Sequence, residues 1–458
     1  MKKLKLLIPA FLFLFVFAAC DDNDDPLVIE SRTIVEIAAD VPDMSSLVAA
    51  LQRADLVATL EGSGSFTVLA PSNAAFDTFL SANGFATVND VPVEVLRQVL
   101  LNHVISGNLQ STDLTTGFAT TSATSVATGT PMSIYIDTSN GVTFNGISSV
   151  FNANIQAENG VIHQVDAVIG LPTVVDLAVA AEGTSTLVAA VSAAGLVDDL
   201  SAAGPFTVLA PTNDAFAQFL ADNNFTGLGD IPSDVLTQTL LNHVISGSLQ
   251  SSDLSTSYAS TLATSAAANN NLSIYVNTDN GVMFNGISTV TAANINANNG
   301  VIHLVDAVIT LPTVVDFALA DPNFSILVEA LTRSDLTTDF VSILSTPDGT
   351  SPAPFTVFAP TNNAFTDLLA ELNLTMLSEI DEPTLNATLT YHVVAGANVM
   401  SSMLMDNQTI TTLGGNITAN VTGGATLTDS SGRVSNIIAT DVQANNGIIH
   451  AIDKVILP

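Results

Sequence analysis

FTVLAPSNAAF at residues 66–76 returns as FTVLAPTNDAF at 206–216 and as FTVFAPTNNAF at 355–365. Phe66-Thr67-Val68-Leu69 is a short β-type run, and Pro71 prevents a helix from running through it. Asn73 through Leu80 then has the apolar spacing of a short helix. Other motifs keep step with this strand-to-helix unit. LLNHVISG at 100–107 returns at 240–247, with TYHVVAG at 390–396, and NGVIH at 159–163 returns at 299–303, with NGIIH at 446–450. The first two copies are offset by 140 residues at every motif. In the third, the insertion STPDGTSPAP (345–354) lengthens the offset to 149, and a later deletion shortens it to 147. Such a period far exceeds the roughly 20–50 residues of solenoid repeats. Each copy is long enough to bury a core of its own.

The seams fall at LPTVVD, 171–176 and 311–316, which divides the chain into units 31–172, 173–312 and 313–458. Pro172 and Pro312 mark them without any Gly/Ser-rich linker, so the units should abut as stiff beads. The front of each unit reads helical. Leu47, Val48, Leu51 and Leu56 follow Ser45, an expected N-cap. Val91 to Ile105 reads as another helix, stopped by Gly107 as its C-cap. The back half turns to β-branched residues, and Asn159-Gly160 between two apolar runs predicts a hairpin with a type I′ turn. Helices followed by an antiparallel sheet give the α+β class.

The first twenty residues, MKKLKLLIPAFLFLFVFAAC, have a basic start, an apolar run and small residues before Cys20, as a secretory signal does. Cys20 is the sole cysteine, so no intrachain disulfide can form. Ala18-Ala19-Cys20 resembles the lipobox of bacterial lipoproteins, which implies that Cys20 is lipidated and is the only membrane attachment. Residues 21–30 open with DDNDDP and read as a solvated acidic tether. That stretch resembles the signal by which Bacteroidetes-type lipoproteins reach the outer face, so the expected location is the cell envelope, on an outer membrane facing the exterior. Beyond Cys20 only six Lys/Arg face 43 Asp/Glu, and 173–312 has no Lys or Arg. Nucleic-acid binding draws its affinity from Lys/Arg on phosphates, so nucleic acid is excluded as a partner.

The FTVLAPTNDAF-type motif near the front of each copy and NGVIHLVDAVITLP-type motif at its end resemble the two hallmark motifs of the fasciclin domain. The resemblance covers about residues 32–458. It implies three tandem fasciclin-like domains, each a β-sandwich or wedge packed with helices, with a role in adhesion and matrix contact. The family has a tyrosine–histidine pair between these motifs, linked in animal members to integrin-dependent adhesion. Here the first two copies have Asn102-His103 and Asn242-His243, and only Tyr391-His392 keeps the pair.

The six histidines fall two per copy, 103 and 163, 243 and 303, 392 and 450. A zinc site needs three or four ligands in tetrahedral array, and cysteine is unavailable. Asp166, Asp306 and Asp453, three residues after each second histidine, would project to the opposite side of a strand. No metal or other cofactor is therefore expected. His103, His163, His243, His303 and His450 read as structural, the first of each pair in the last turn of a helix, where a donor or positive charge suits the carbonyl end. No G-x-S-x-G elbow, H-E-x-x-H pair or phosphate-binding Gly-rich loop occurs, so no catalytic residue is assigned. Tyr391 and His392 are the candidate interaction residues, in the copy farthest from Cys20. The expected function is non-enzymatic adhesion to surface or matrix proteins or neutral polysaccharide, with self-association left open. The alternative is a small-molecule or ion-binding envelope protein.

Overall fold

The computed structural model describes residues 32–62 and 64–458. The signal, Cys20 and the acidic tether lie outside the described residues. In the first unit the helices are α1 (Ile34–Asp40), α2 (Ser45–Arg53), α3 (Val57–Glu61), α4 (Asn73–Ala82) and α5 (Val93–Leu101). Its strands are β1 (Phe66–Pro71), β2 (Val104–Ser106), β3 (Gly117–Thr124), β4 (Pro131–Asp137), β5 (Thr143–Phe144), β6 (Ser148–Ala157) and β7 (Gly160–Val165). The second and third units repeat this order. Thr33, Thr173 and Thr313 start the three units, each closing a capping box with Glu36, Asp176 or Asp316.

Each unit is an α+β domain in which one sheet layer is shared between two cores. Strand β1 shows how. Val68 and Ala70 face α1–α5, joining Leu51, Phe76, Leu96 and Ile162. Leu69 points the other way, into the sandwich with Ile105, Ile134, Phe144 and Val165. The strand's two-residue period divides its side chains between the cores. In domains one and two the seven strands close into a ring, whereas the third domain's seven strands form an open sheet.

Several local expectations are corrected. The sheet is mixed, because β1 lies parallel to β7 along Phe66–Pro71 and Gly160–Val165. Parallel pairing follows from the long helical and sheet excursion between them. The helix expected over 91–105 ends at Leu101, and Val104 and Ile105 instead pair with Val68 and Thr67 of β1. Gly107 is then no helix cap; its N–H donates to the Ser65 carbonyl at 2.8 Å. Ser45 caps nothing with its side chain. The cap comes from Asn73, whose Oδ1 accepts from Ser46 N at 2.9 Å while its Nδ2 donates to the Pro42 carbonyl. The β6–β7 hairpin turns on Glu158-Asn159, one residue earlier than Asn159-Gly160, since Ala157 pairs with Gly160.

The domains abut, and the two seams are built alike. Pro172 O accepts from Asn298 N at 2.7 Å, and Pro312 O from Asn445 N at 2.7 Å. Ser133 Oγ accepts from Asn296 N and Ser273 Oγ from Gln443 N, both at 2.9 Å. Each seam also receives a cross-strand aromatic pair from the preceding domain. Phe118 and Tyr135 pair in the first and Tyr258 and Tyr275 in the second, both with ring centroids 5.0 Å apart. Phe118 packs on the core of domain two, and Tyr258 and Tyr275 on that of domain three. Apolar surface from one domain thus completes the core of the next, which fixes their mutual orientation.

Candidate functional site

His103 stands just past Asn102, the C-cap of α5, and not within the last helical turn. Its Nδ1–H donates to the Val99 carbonyl at 2.7 Å, a group the helix end leaves without an intrahelical partner. Its Nε2 accepts from Ile169 N at 2.9 Å. A ring nitrogen that accepts from a backbone N–H cannot carry a proton, so the ring is neutral with its proton on Nδ1. His243 repeats this between Thr239 O (2.7 Å) and Ile309 N (2.8 Å), and His392 between Thr388 O (2.8 Å) and Ile456 N (3.0 Å). Burial lowers all three from 6.5 to about 4, against a smaller opposing pull from the carbonyl each one serves. The helix end therefore gains a donor but no positive charge.

The second histidines use the opposite tautomer. His163 Nε2–H donates to Leu109 O at 2.9 Å, and its Nδ1 accepts from Asn154 N at 3.2 Å. Asn154 sits in a bulge of β6 at φ 63°, which leaves its N–H without a ladder partner. Imidazole supplies one. His303 serves Leu249 O and Asn294 N, and His450 serves Val399 O and Asp441 N, in the same way. Burial holds these rings below their ordinary value as well.

The rest of the NG-[VI]-I-H motif is similarly engaged. Asn159 Oδ1 accepts from Ile34 N and its Nδ2 donates to Leu60 O, tying α1 and α3 to the sheet. Asn299 and Asn446 do the same in their domains. A side chain on Gly160 would place Cβ 1.9 Å from the Phe66 carbonyl oxygen, and one on Gly300 or Gly447 would lie 2.3 or 2.4 Å from that of Phe206 or Phe355. Asp166 Oδ1 accepts from Ser149 N at 2.7 Å, closing the β6–β7 pair at its far end.

Tyr391 and His392 differ in availability. His392 is 3% exposed with both ring nitrogens bonded to backbone, so the contact role expected of it is corrected to an internal one. Tyr391 is half-buried against the sandwich core of domain three, under the turn at Gly414-Gly415. Among the described residues no three His, Cys, Asp or Glu side chains converge as a metal would require.

A concave polar surface does occur at the second seam. There a cleft of about 500 Å³ opens between domains two and three, lined by Tyr258, Tyr275, Asp321, Asn323, Phe324 and Asn363. Asp321 is 5% exposed; its Oδ2 accepts from Tyr258 Oη, and its Oδ1 from Asn323 N and Nδ2, each at 3.0 Å. Burial, reinforced by the Asp321 carboxylate, raises both phenols, Tyr275 to about 12 and Tyr258 further, so both stay protonated donors. The sequence reading missed these residues. Their signal lies in comparing the copies, because 140 residues earlier the positions of Tyr258 and Asp321 hold Phe118 and Ala181.

The fasciclin domain model matches residues 42–172, 182–312 and 322–458. The chain belongs to the fasciclin-domain family. Human periostin is 28% identical over 360 residues, covering 78% of this chain and 39% of its own length. The pig transforming growth factor-beta-induced protein ig-h3 is 29% identical over 431 residues, covering 90% of this chain and 56% of its own. Protein sll1483 of Synechocystis is 43% identical over 140 residues, 31% of this chain and 74% of its own. The chain thus spans about half or less of the animal fasciclin proteins it matches. Among solved structures, the FAS1 domain pair of the insect cell adhesion molecule fasciclin I covers 59% of this chain and 94% of that chain, with TM-score 0.35 at 20% identity.

Proposed function

We propose that this fasciclin-domain protein is a lipid-anchored, outward-facing adhesion and matrix-interaction protein that binds without catalysis. Cys20 attaches it to the membrane, residues 21–30 space it from the bilayer, and the abutting domains project as one stiff body. One observation carries the reading: the repeated histidines and motif asparagines bond backbone inside each domain. That leaves binding to outer faces and seams, where partners are surface or matrix proteins or neutral polysaccharide. An acidic exterior with few basic residues disfavours polyanions. The third domain, whose 345–354 insertion includes exposed residues, is the face assigned to contact.

Intact cells treated with a membrane-impermeant protease should lose all three domains and attach less to a matrix-coated surface. Deleting 313–458 should weaken attachment similarly. Domains protected from protease on intact cells, or attachment undiminished without the protein, would overturn the proposal.

A further inference from the structure

We infer that the cleft between domains two and three is a binding site for a neutral saccharide segment. Its size, about 500 Å³, lies within the range of roughly 300–1,000 Å³ typical of small-molecule sites. Its chemistry selects the ligand class. Among the described residues the only charged group lining it is Asp321, and each of its carboxylate oxygens already accepts a hydrogen bond, from Tyr258 or from Asn323. None of the described residues lining it is Lys or Arg, so none of them offers an anion a positive charge. An occupied carboxylate gives a cation little to coordinate. What remains is a floor of Phe324, Val442 and Ala451 beside two protonated phenols, with the exposed Asn363 amide at the mouth and the exposed hydroxyls of Thr256 and Ser257, which also bond Thr278 and Ser255 O. A sugar ring presents the complement: apolar C–H faces bordered by hydroxyls that both donate and accept.

The first seam supplies the contrast. Phe118 stands where Tyr258 stands, and Ala181 where Asp321 stands, so the same docking geometry there lacks the buried phenol–carboxylate bond. The second seam departs from that apolar design by placing a carboxylate at 5% exposure, which is costly unless its hydrogen bonds are filled. Tyr258 and Asn323 fill them and in doing so set the cleft's polar wall.

This inference rests on the adhesive reading for the source of the sugar, a surrounding matrix. Its test is saturation-transfer NMR and titration calorimetry on the full chain with cellotetraose, laminaritetraose and mannotetraose. Sialyllactose and an uncharged Gly-Ser peptide serve as contrasting probes. At least one neutral tetrasaccharide should bind saturably, and Tyr258→Phe/Asp321→Ala should weaken it at least about tenfold. That double variant copies residues the first seam already tolerates, so it should still unfold in one cooperative transition, lowered only by the two Asn323 donors left without Asp321. Should it fail to fold, Asn363→Ala at the exposed mouth decides, with about fivefold weakening expected. No binding by any of the three sugars, preference for sialyllactose or the peptide, or unchanged affinity in the variant that folds would overturn it. Cells that still attach through a protein unable to bind sugar would remove the cleft and leave the adhesive role. Sugar binding by a protein whose loss leaves attachment intact would remove the role and leave the cleft.

Discussion

In the first domain Asn102 lies fully buried between the end of α5 and β3, donating Nδ2–H to Gly170 O at 2.8 Å and accepting the Thr121 hydroxyl at 3.1 Å. In the third domain Tyr391 takes that position, and the chain beside it turns tightly through Thr412–Gly415, with Leu413 N on Val393 O and Gly414 N on Thr390 O. The first arrangement lets β2 and β3 meet at Ile105 and Thr121 and closes the ring. In the third, the ring of Tyr391 occupies the corner, glycines pass over it where any Cβ would lie 2.3 Å from its atoms, and the sheet stays open. Asn102 thus accompanies a closed sheet, and Tyr391 with its glycine turn and a shorter neighbouring strand (Gln408–Thr411) an open one. The histidine next to it is unaffected, with the same tautomer and partners in all three domains. What varies between copies is the wall; what stays is the clasp.

Grafting the third domain's choice into the first should have the largest effect. Asn102→Tyr puts a large ring into a site with no glycine turn to receive it, and removes two buried hydrogen bonds. A loss of about 4 kcal/mol is expected from overpacking plus the unpaired groups. Hydrogen exchange should localise the loosening to β2 and β3 of domain one, and unchanged exchange there would break the comparison.

Acidification should come next and fall on all three domains together. His103, His243 and His392 have an ordinary value of 6.5 and a folded value of about 4, so the folded state binds fewer protons. Stability is therefore full above pH 6.5 and declines as pH falls towards about 4, by about 3 kcal/mol per domain. The second histidines act in the same direction. Urea midpoints measured from pH 7.5 to 4 should fall monotonically, and a flat profile would count against neutral, buried rings.

Tyr391→Asn should cost domain three about 2–3 kcal/mol, because the shorter side chain leaves a void beneath Gly414-Gly415. Calorimetry should show the third domain's transition moving while the others stay. The smallest effect belongs to Thr121→Val, which removes only the hydroxyl on Asn102 Oδ1. About 1 kcal/mol is expected, with the same change at Thr261 giving the same result, since Thr261 bonds Asn242 at 3.1 Å.

Much of this fold was legible in the sequence because its signals are local or repeated. The strand at Phe66, the hairpin near Asn159 and the three units themselves follow from pattern and offset. Contacts between distant segments were not legible. Val104 and Ile105 fit a helical apolar period, yet β1 claims them as a strand, and nothing within the window of a helix indicates this. The cap on α2 comes from Asn73, 27 residues beyond the N–H of Ser46 that it receives. The histidine motif was visible as a motif, but the carbonyl and N–H that each ring joins lie up to 66 residues away. The cleft was hidden because Tyr258 and Asp321 are unremarkable singly and become a site only when the second seam brings them together. At the matching register of domain three, Thr409 and Thr418 stand in place of the aromatic cross-strand pair, so that face lacks the seam's apolar chemistry.

The decisive observation concerns the protons of the six imidazoles, held uncharged between backbone groups in two opposite tautomers. Long-range nitrogen–proton NMR at pH 7 on the folded, nitrogen-labelled chain would resolve them. Three rings, His103, His243 and His392, should carry hydrogen on Nδ1, and the other three on Nε2, with none becoming charged as pH passes through 6.5. A ring that protonates near 6.5, or a pair in one domain sharing the same tautomer, would contradict the account.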